Sequence, residues 1–155
     1  QLMTQVAGRT GRRKDQGKVY IQTSKPDHFV IQQIVNHDYV GMYNNDIAER
    51  KSFDYPPYYR LVKISLKHKD PLLLSRLGSM VKQQLIAYFG NSLLGPEKPY
   101  VSKIRNWYIL NFVLKIENNG PVVREQKRIL GLAVDQLNQQ KDFSQARIIV
   151  DVDPM

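Results

Sequence analysis

The stretch "RLVKISLKHKDPLLLSRLGSMVKQQLIAYFG", residues 60–90, changes its hydrophobic period partway along, and that change decides the fold. In residues 60–69, Val62, Ile64 and Leu66 alternate with Lys63, Ser65 and Lys67, which predicts a strand with one apolar and one wet face. Asp70-Pro71 then signals a helix start and Gly90 a stop. Between them Leu73, Leu77, Met80 or Val81, and Leu85 recur at helical spacing. Downstream, the Gly/Pro-punctuated "NSLLGPEKPYVSKIRN" (91–106) leaves room for a short strand at 99–105. In "WYILNFVLKIE" (107–117), Tyr108, Leu110, Phe112, Leu114 and Ile116 alternate with Asn111 and Lys115. "NNGP" (118–121) leads into a helix at about 122–140 with Val123, Ile129, Leu130, Ala133 and Leu137 inward, and "ARIIVDVDP" (146–154) is a last strand. Residues 58–155 therefore read β-α-β-β-α-β. This is an α+β two-layer sandwich of the ferredoxin-like kind, with two helices on one face of a small antiparallel or mixed sheet.

Upstream of it, "DYPPYY" (54–59) stops helix outright, because two prolines in a row cannot continue one. A boundary there divides the chain into domains 1–57 and 58–155. Residues 25–53 read as one or two helices, with a start at Pro26-Asp27 and Asp38 placed to cap a second. "KVYIQT" (18–23) has the alternation of a strand, "GRRKDQG" (11–17) reads as an exposed loop, and residues 2–9 as the tail of a helix.

Composition narrows the function classes. The 155 residues are 42% apolar and contain no cysteine, which excludes disulfides, thiolate metal sites and a cysteine nucleophile. A reducing, cytoplasmic setting fits, and no segment approaches the ~20 apolar residues of a membrane span. The net charge of +9 is uneven. Residues 1–57 hold eight Lys/Arg against six Asp/Glu, whereas residues 58–155 hold fifteen against eight. A surplus gathered in one domain favours a polyanionic partner, with bare solubility as the bland reading.

The sharpest local signal is "QVAGRTGR", residues 5–12. Gln5, Arg9 and Arg12 fall at i, i+4 and i+7, one stripe of a helix, and Gly8 and Gly11 leave room for a bulky anion. Arginine suits the task because its planar fork holds two phosphate oxygens at once. A solvated basic helix end explains the spacing equally well. Gly11 to Gly17-Lys18 is one residue too long for a Walker A loop and places Val19 where Ser or Thr should hold magnesium.

"QVAGRTGR" resembles the sixth motif, Gln-x-x-Gly-Arg-x-Gly-Arg, of superfamily 2 helicases. With "GKVYIQT", "AER", "YPPY", "LGP", "RNWYIL" and "DVDP" following in order, the whole chain is similar to the primosomal protein N′ family of bacterial replication-restart helicases. That resemblance implies that residues 1–57 end the second, RecA-like motor lobe. It also implies that Arg12 is a catalytic arginine finger on the γ-phosphate of ATP, with Arg9 beside it and Gln5 and Gly8 completing the nucleotide contact. It further implies ATP and magnesium in the full-length enzyme and zinc in an insert upstream of residue 1. The chain itself has no Walker A lysine or Walker B acid pair, so alone it is expected neither to hydrolyse ATP nor to unwind DNA. An isolated strand 18–23 would expose a bare edge.

Further candidates follow the same pattern. Lys98, Tyr100, Lys103, Arg105 and Trp107 alternate charge and ring, a mixture suited to single-stranded or forked DNA, although Tyr100 and Trp107 could equally be core residues. Arg124, Gln126 and Arg128, on a helix that reads otherwise as a wet face, are the nearest matches to the family's pocket for the acidic tail of the single-strand-binding protein. Other primosome proteins are also implied as partners. Asp151 and Asp153 share a strand face and are read as structural rather than metal-binding, and His28, His37 and His68 lack metal-ligand spacing. The competing class is a stand-alone ribosomal-type RNA-binding module with no use for Arg12.

Overall fold

Asp70 starts a 19-residue helix as the sequence predicts. In the computed structural model, which describes residues 18–140 and 143–154, its carboxylate Oδ1 accepts hydrogen bonds from the Leu72 and Leu73 N–H groups at 2.7 and 3.3 Å. These bonds satisfy amides that the first helical turn leaves without partners. The chain divides into two units between Glu49 and Arg50.

In the first unit, helix α1 (Phe29–Val35) is capped by His28, whose Nδ1 accepts from Val30 N–H. Helix α2 (Tyr39–Ser52), which runs across the division, opens on Asp38, whose Oδ1 accepts from Gly41 N–H at 2.8 Å. Helix α2 buries none of its residues, and Ile34 is the buried residue of α1. The strand expected at 18–23 is corrected: those residues carry no strand pairing. Alternation only prepares a segment for a neighbour, and without one the backbone groups have no ladder to join.

The second unit holds strand β1 (Tyr59–His68), helix α3 (Pro71–Phe89), strands β2 (Leu93–Glu97), β3 (Lys103–Ile104) and β4 (Trp107–Glu117), helix α4 (Gly120–Asn138) and strand β5 (Arg147–Val152). The sheet runs β2-β4-β1-β5, every neighbouring pair antiparallel, with β3 pairing β4 at one end. The architecture is mixed α+β. The expected strand at 99–105 is also corrected: pairing lies at 93–97, and only the two-residue β3 remains of the predicted segment. Gly95 makes this possible. Its φ of +114° suits the register shift between Leu94 and Glu97, and a Cβ there would lie 2.8 Å from the Asn111 carbonyl.

The period-2 positions form the core as read. Val62, Ile64, Leu66, Phe112, Leu114 and Ile116 are all but completely buried. Leu74, Leu77, Val81 and Leu85 of α3 and Val123, Leu130, Ala133 and Leu137 of α4 close over them. In α3 the buried stripe starts at Leu74, one residue after the expected Leu73. Each fully buried Leu or Ile contributes about 1.5–3 kcal/mol, so this layer holds the unit together. The same alternation turns Lys63, Ser65 and Lys67 toward the sheet's other face, away from α3 and α4.

Candidate nucleic-acid interface

Register decides which side chains meet on that second face. Lys67 pairs with Arg147 of β5 on one side and Ile109 of β4 on the other; Ser65 pairs with Ile149 and Asn111, and Lys63 with Asp151 and Val113. Ser65 Oγ donates to Asn111 Oδ1 at 2.9 Å, a polar rung in the middle of the face. At the end where β4 begins, the Arg147 guanidinium lies over the Trp107 ring, 4.5 Å from its centroid, and Lys69 Nζ lies 5.8 Å from the same centroid. Among the described residues Lys67, Lys69, Arg105 and Arg147 make no ion pair with a carboxylate. At the opposite end Lys115 is occupied, donating to the Phe53 carbonyl and lying 4.3 Å from the Tyr55 ring centroid.

The hairpin β3–β4 shapes the Trp107 end. Arg105 and Asn106 both have positive φ, 46° and 65°, as a two-residue hairpin turn with the right twist requires. Ile104 pairs with Trp107 and shares its face, whereas Lys103 pairs with Tyr108 and lies 4.8 Å from that ring's centroid on the helix side. The sequence-predicted set is thus divided. Trp107 is on the face turned away from α3 and α4 and Arg105 at the turn, Lys103 is on the other side, and Lys98 and Tyr100 are exposed in the preceding loop, the Tyr100 ring fully so. Lys67, Lys69 and Arg147 were not singled out from the sequence as members of the site. Lys67 was legible as a wet-face residue, but Arg147 reaches the tryptophan only because β5 pairs with β1 across eighty residues of chain.

The other candidates fall elsewhere. Arg124 and Arg128 share a face of α4, while Gln126, two residues on and turned by about 200°, is half-buried with its Oε1 lacking any hydrogen-bond partner among the described residues. Arg128 is held by Glu125 through bonds of 2.7 and 2.9 Å, and the hydrogen bond from Arg128 keeps the Glu125 carboxylate below its usual range. Asp153, following β5, forms a two-pronged ion pair with Arg60, whose hydrogen bonds likewise lower its pKa, and its own N–H donates to Leu61 O at 2.8 Å. This gives Asp153 a structural role. His68 is buried, with Nδ1 accepting the Asp70 N–H. Among the described residues no group of three or more metal-binding side chains comes together, and no helix is long and apolar enough to cross a membrane. Gln5, Gly8, Arg9 and Arg12 lie outside the described residues.

Comparison with known proteins resolves the family. Residues 51–155 match the family described as Primosomal protein N C-terminal domain. The chain belongs to that family. Relatives include the replication restart protein PriA of Bacillus subtilis, 30% identical over 99% of this chain and 18% of the relative. PriA of Thermotoga maritima is 33% identical over 85% of this chain and 18% of its own length, and PriA of Chlamydia pneumoniae 31% identical over 100% and 20%. The chain therefore spans about a fifth of the length of these replication restart proteins. Among solved structures, the de novo designed protein Foldit4 covers 63% of this chain and 98% of its own at 11% identity, with a TM-score of 0.45 that carries no fold argument.

Proposed function

We propose that this primosomal C-terminal sequence is part of an ATP-dependent DNA helicase acting in replication restart at stalled forks, and that the sheet face turned away from α3 and α4 binds the fork. One observation carries the DNA assignment. Lys67 and Arg147 sit directly opposite each other, beside Lys69 and Trp107, and among the described residues no carboxylate is paired to any of the three cations. Like charges directly opposite in a sheet are destabilising, and a phosphate backbone laid across them turns that repulsion into attraction. The strand order β2-β4-β1-β5 with all pairs antiparallel supports reading residues 58–155 as a ferredoxin-like sandwich.

Residues 1–57 are proposed as the end of a RecA-like motor lobe. Helix α2, which buries none of its residues, is what a helix awaiting the rest of a larger core looks like. There Gln5, Gly8, Arg9 and Arg12 would meet ATP and magnesium held by the rest of the enzyme, Arg12 placing positive charge where negative charge develops on the transferred phosphoryl group. The 155-residue chain alone is proposed to be inactive as an ATPase. Arg124, Gln126 and Arg128 are proposed as part of the docking site for the single-strand-binding protein's acidic tail, with Arg124 left to take the carboxylate because Arg128 is engaged by Glu125.

The test is fluorescence anisotropy of the chain with forked DNA, plain duplex, single-stranded DNA and a matched RNA hairpin, each across a salt series. Tightest binding to forked or single-stranded DNA with a steep salt slope is expected. Equal or tighter binding to RNA would replace this reading with a ribosomal-type RNA module, and no binding to any of the four would remove nucleic acid from the function of this domain.

A further inference from the structure

We infer that Trp107 is a stacking platform for one unpaired nucleobase, with Arg147 and Lys69 taking the phosphates beside it. This inference rests on the reading of the sheet face turned away from α3 and α4 as a DNA site and adds what that face selects. An indole can be core filler, but this one is outside the core: it lies on the face opposite α3 and α4 and is only half-buried. Its position is nevertheless fixed. Trp107 opens β4, its backbone pairs with Ile104 across a two-residue turn, and Ile109, the next residue on its face, is 7% exposed and anchored by an N–H bond to Ser102 O at 2.9 Å. Ile104 beside it is half exposed, so the ring and its neighbour form an apolar step on an otherwise polar surface.

The cations over the ring mark what such a step takes. A guanidinium 4.5 Å from the indole centroid is a planar, delocalised cation lying where a flat aromatic ligand would lie. An exposed cation–π contact is worth about a two- to fivefold factor, whereas a base stacked on an aromatic side chain is worth about five- to a hundredfold. A base therefore displaces Arg147 from the ring. The displaced guanidinium, which no carboxylate among the described residues holds, can then grip the phosphate of the same strand. Bases inside a duplex present no open ring face, so the platform distinguishes unpaired from paired DNA, whereas the flanking lysines do not.

Trp107 is the sole tryptophan of the chain, which makes its emission a direct reporter. The full chain is titrated with an end-labelled oligothymidylate, a strand of the same length and phosphate count carrying abasic sites, and a duplex, reading tryptophan emission and label anisotropy together. The expected result is quenching in step with the oligothymidylate anisotropy, no quenching by the abasic strand, and about five- to a hundredfold weaker binding of that strand. Equal affinities without quenching would overturn the platform while leaving a phosphate-binding face. No anisotropy change with any strand would overturn both readings. Trp107→Leu, with its fold checked by circular dichroism, is expected to lose the discrimination against abasic DNA and keep its salt dependence; discrimination that survives the substitution would also overturn the platform.

Discussion

Lys67 and Arg147 occupy directly opposed positions on neighbouring antiparallel strands, and among the described residues neither forms an ion pair with a carboxylate. Near the other end of β1 a charge is matched: Arg60 holds Asp153 through its guanidinium and lowers the pKa of that carboxyl. The unmatched pair therefore costs stability that the fold does not need to spend. If the pair is kept for phosphate, substitution moves stability and binding in opposite directions. Lys67→Gln is expected to stabilise the folded chain by about 0.2–1 kcal/mol, a rise of a few degrees in Tm, while weakening single-stranded DNA severalfold. Thermal melts and anisotropy on the same preparation check it. A variant that loses stability, or binds DNA as tightly as before, would show the pair to be an ordinary wet rung of the sheet.

At the scale of elements, helix α3 is specified by its ends. Asp70 caps two amides through Oδ1, while its own N–H is taken by His68 Nδ1, so strand end and helix start are locked in a three-residue corner. Asp70→Ala is expected to cost about 1 kcal/mol, within a range of about 0.5–2, and Asp70→Asn to recover most of it. Chemical denaturation of the three proteins measures this, and an unaffected Ala variant would mean water replaces the cap. Such ends and periods are local, which is why β1, α3, β4, α4 and β5 were readable within a few residues. The second strand was not, because Gly95-Pro96 looks like a breaker until Gly95 is seen accommodating a register shift beside Asn111. Residues 18–23 failed for the converse reason, since a strand pattern specifies a face but supplies no partner. The site was half legible. Trp107 and Arg105 sit close in sequence and were found together, but Lys69 and Arg147 join them only through the β1–β4 and β1–β5 pairings, which no local period encodes.

For the whole second unit, the surplus of basic charge is spread over two surfaces, and DNA can lie on only one of them in the proposed arrangement. The sheet side carries Lys67, Lys69, Arg105 and Arg147; the helix side carries Arg124, Lys127 and Arg128, the last already engaged by Glu125. Each phosphate neutralised on a single strand adds about −0.7 to the slope of log K against log salt. Four sheet-side contacts predict a slope near −2.8 from this region, by the same relation. Arg147→Gln or Lys69→Gln is expected to make the slope shallower by about 0.7 each, whereas Arg124→Gln and Lys127→Gln should leave it unchanged. A merely basic surface would give small, equal effects from both sides, whereas a seated strand senses only the charges near it, because screening at ordinary ionic strength confines each charge to about 10 Å. The two-sided comparison separates a seated strand from a merely basic surface. Slopes that respond to the helix-side substitutions and ignore the sheet-side ones would move the DNA onto α4 and free the Trp107 face for another ligand.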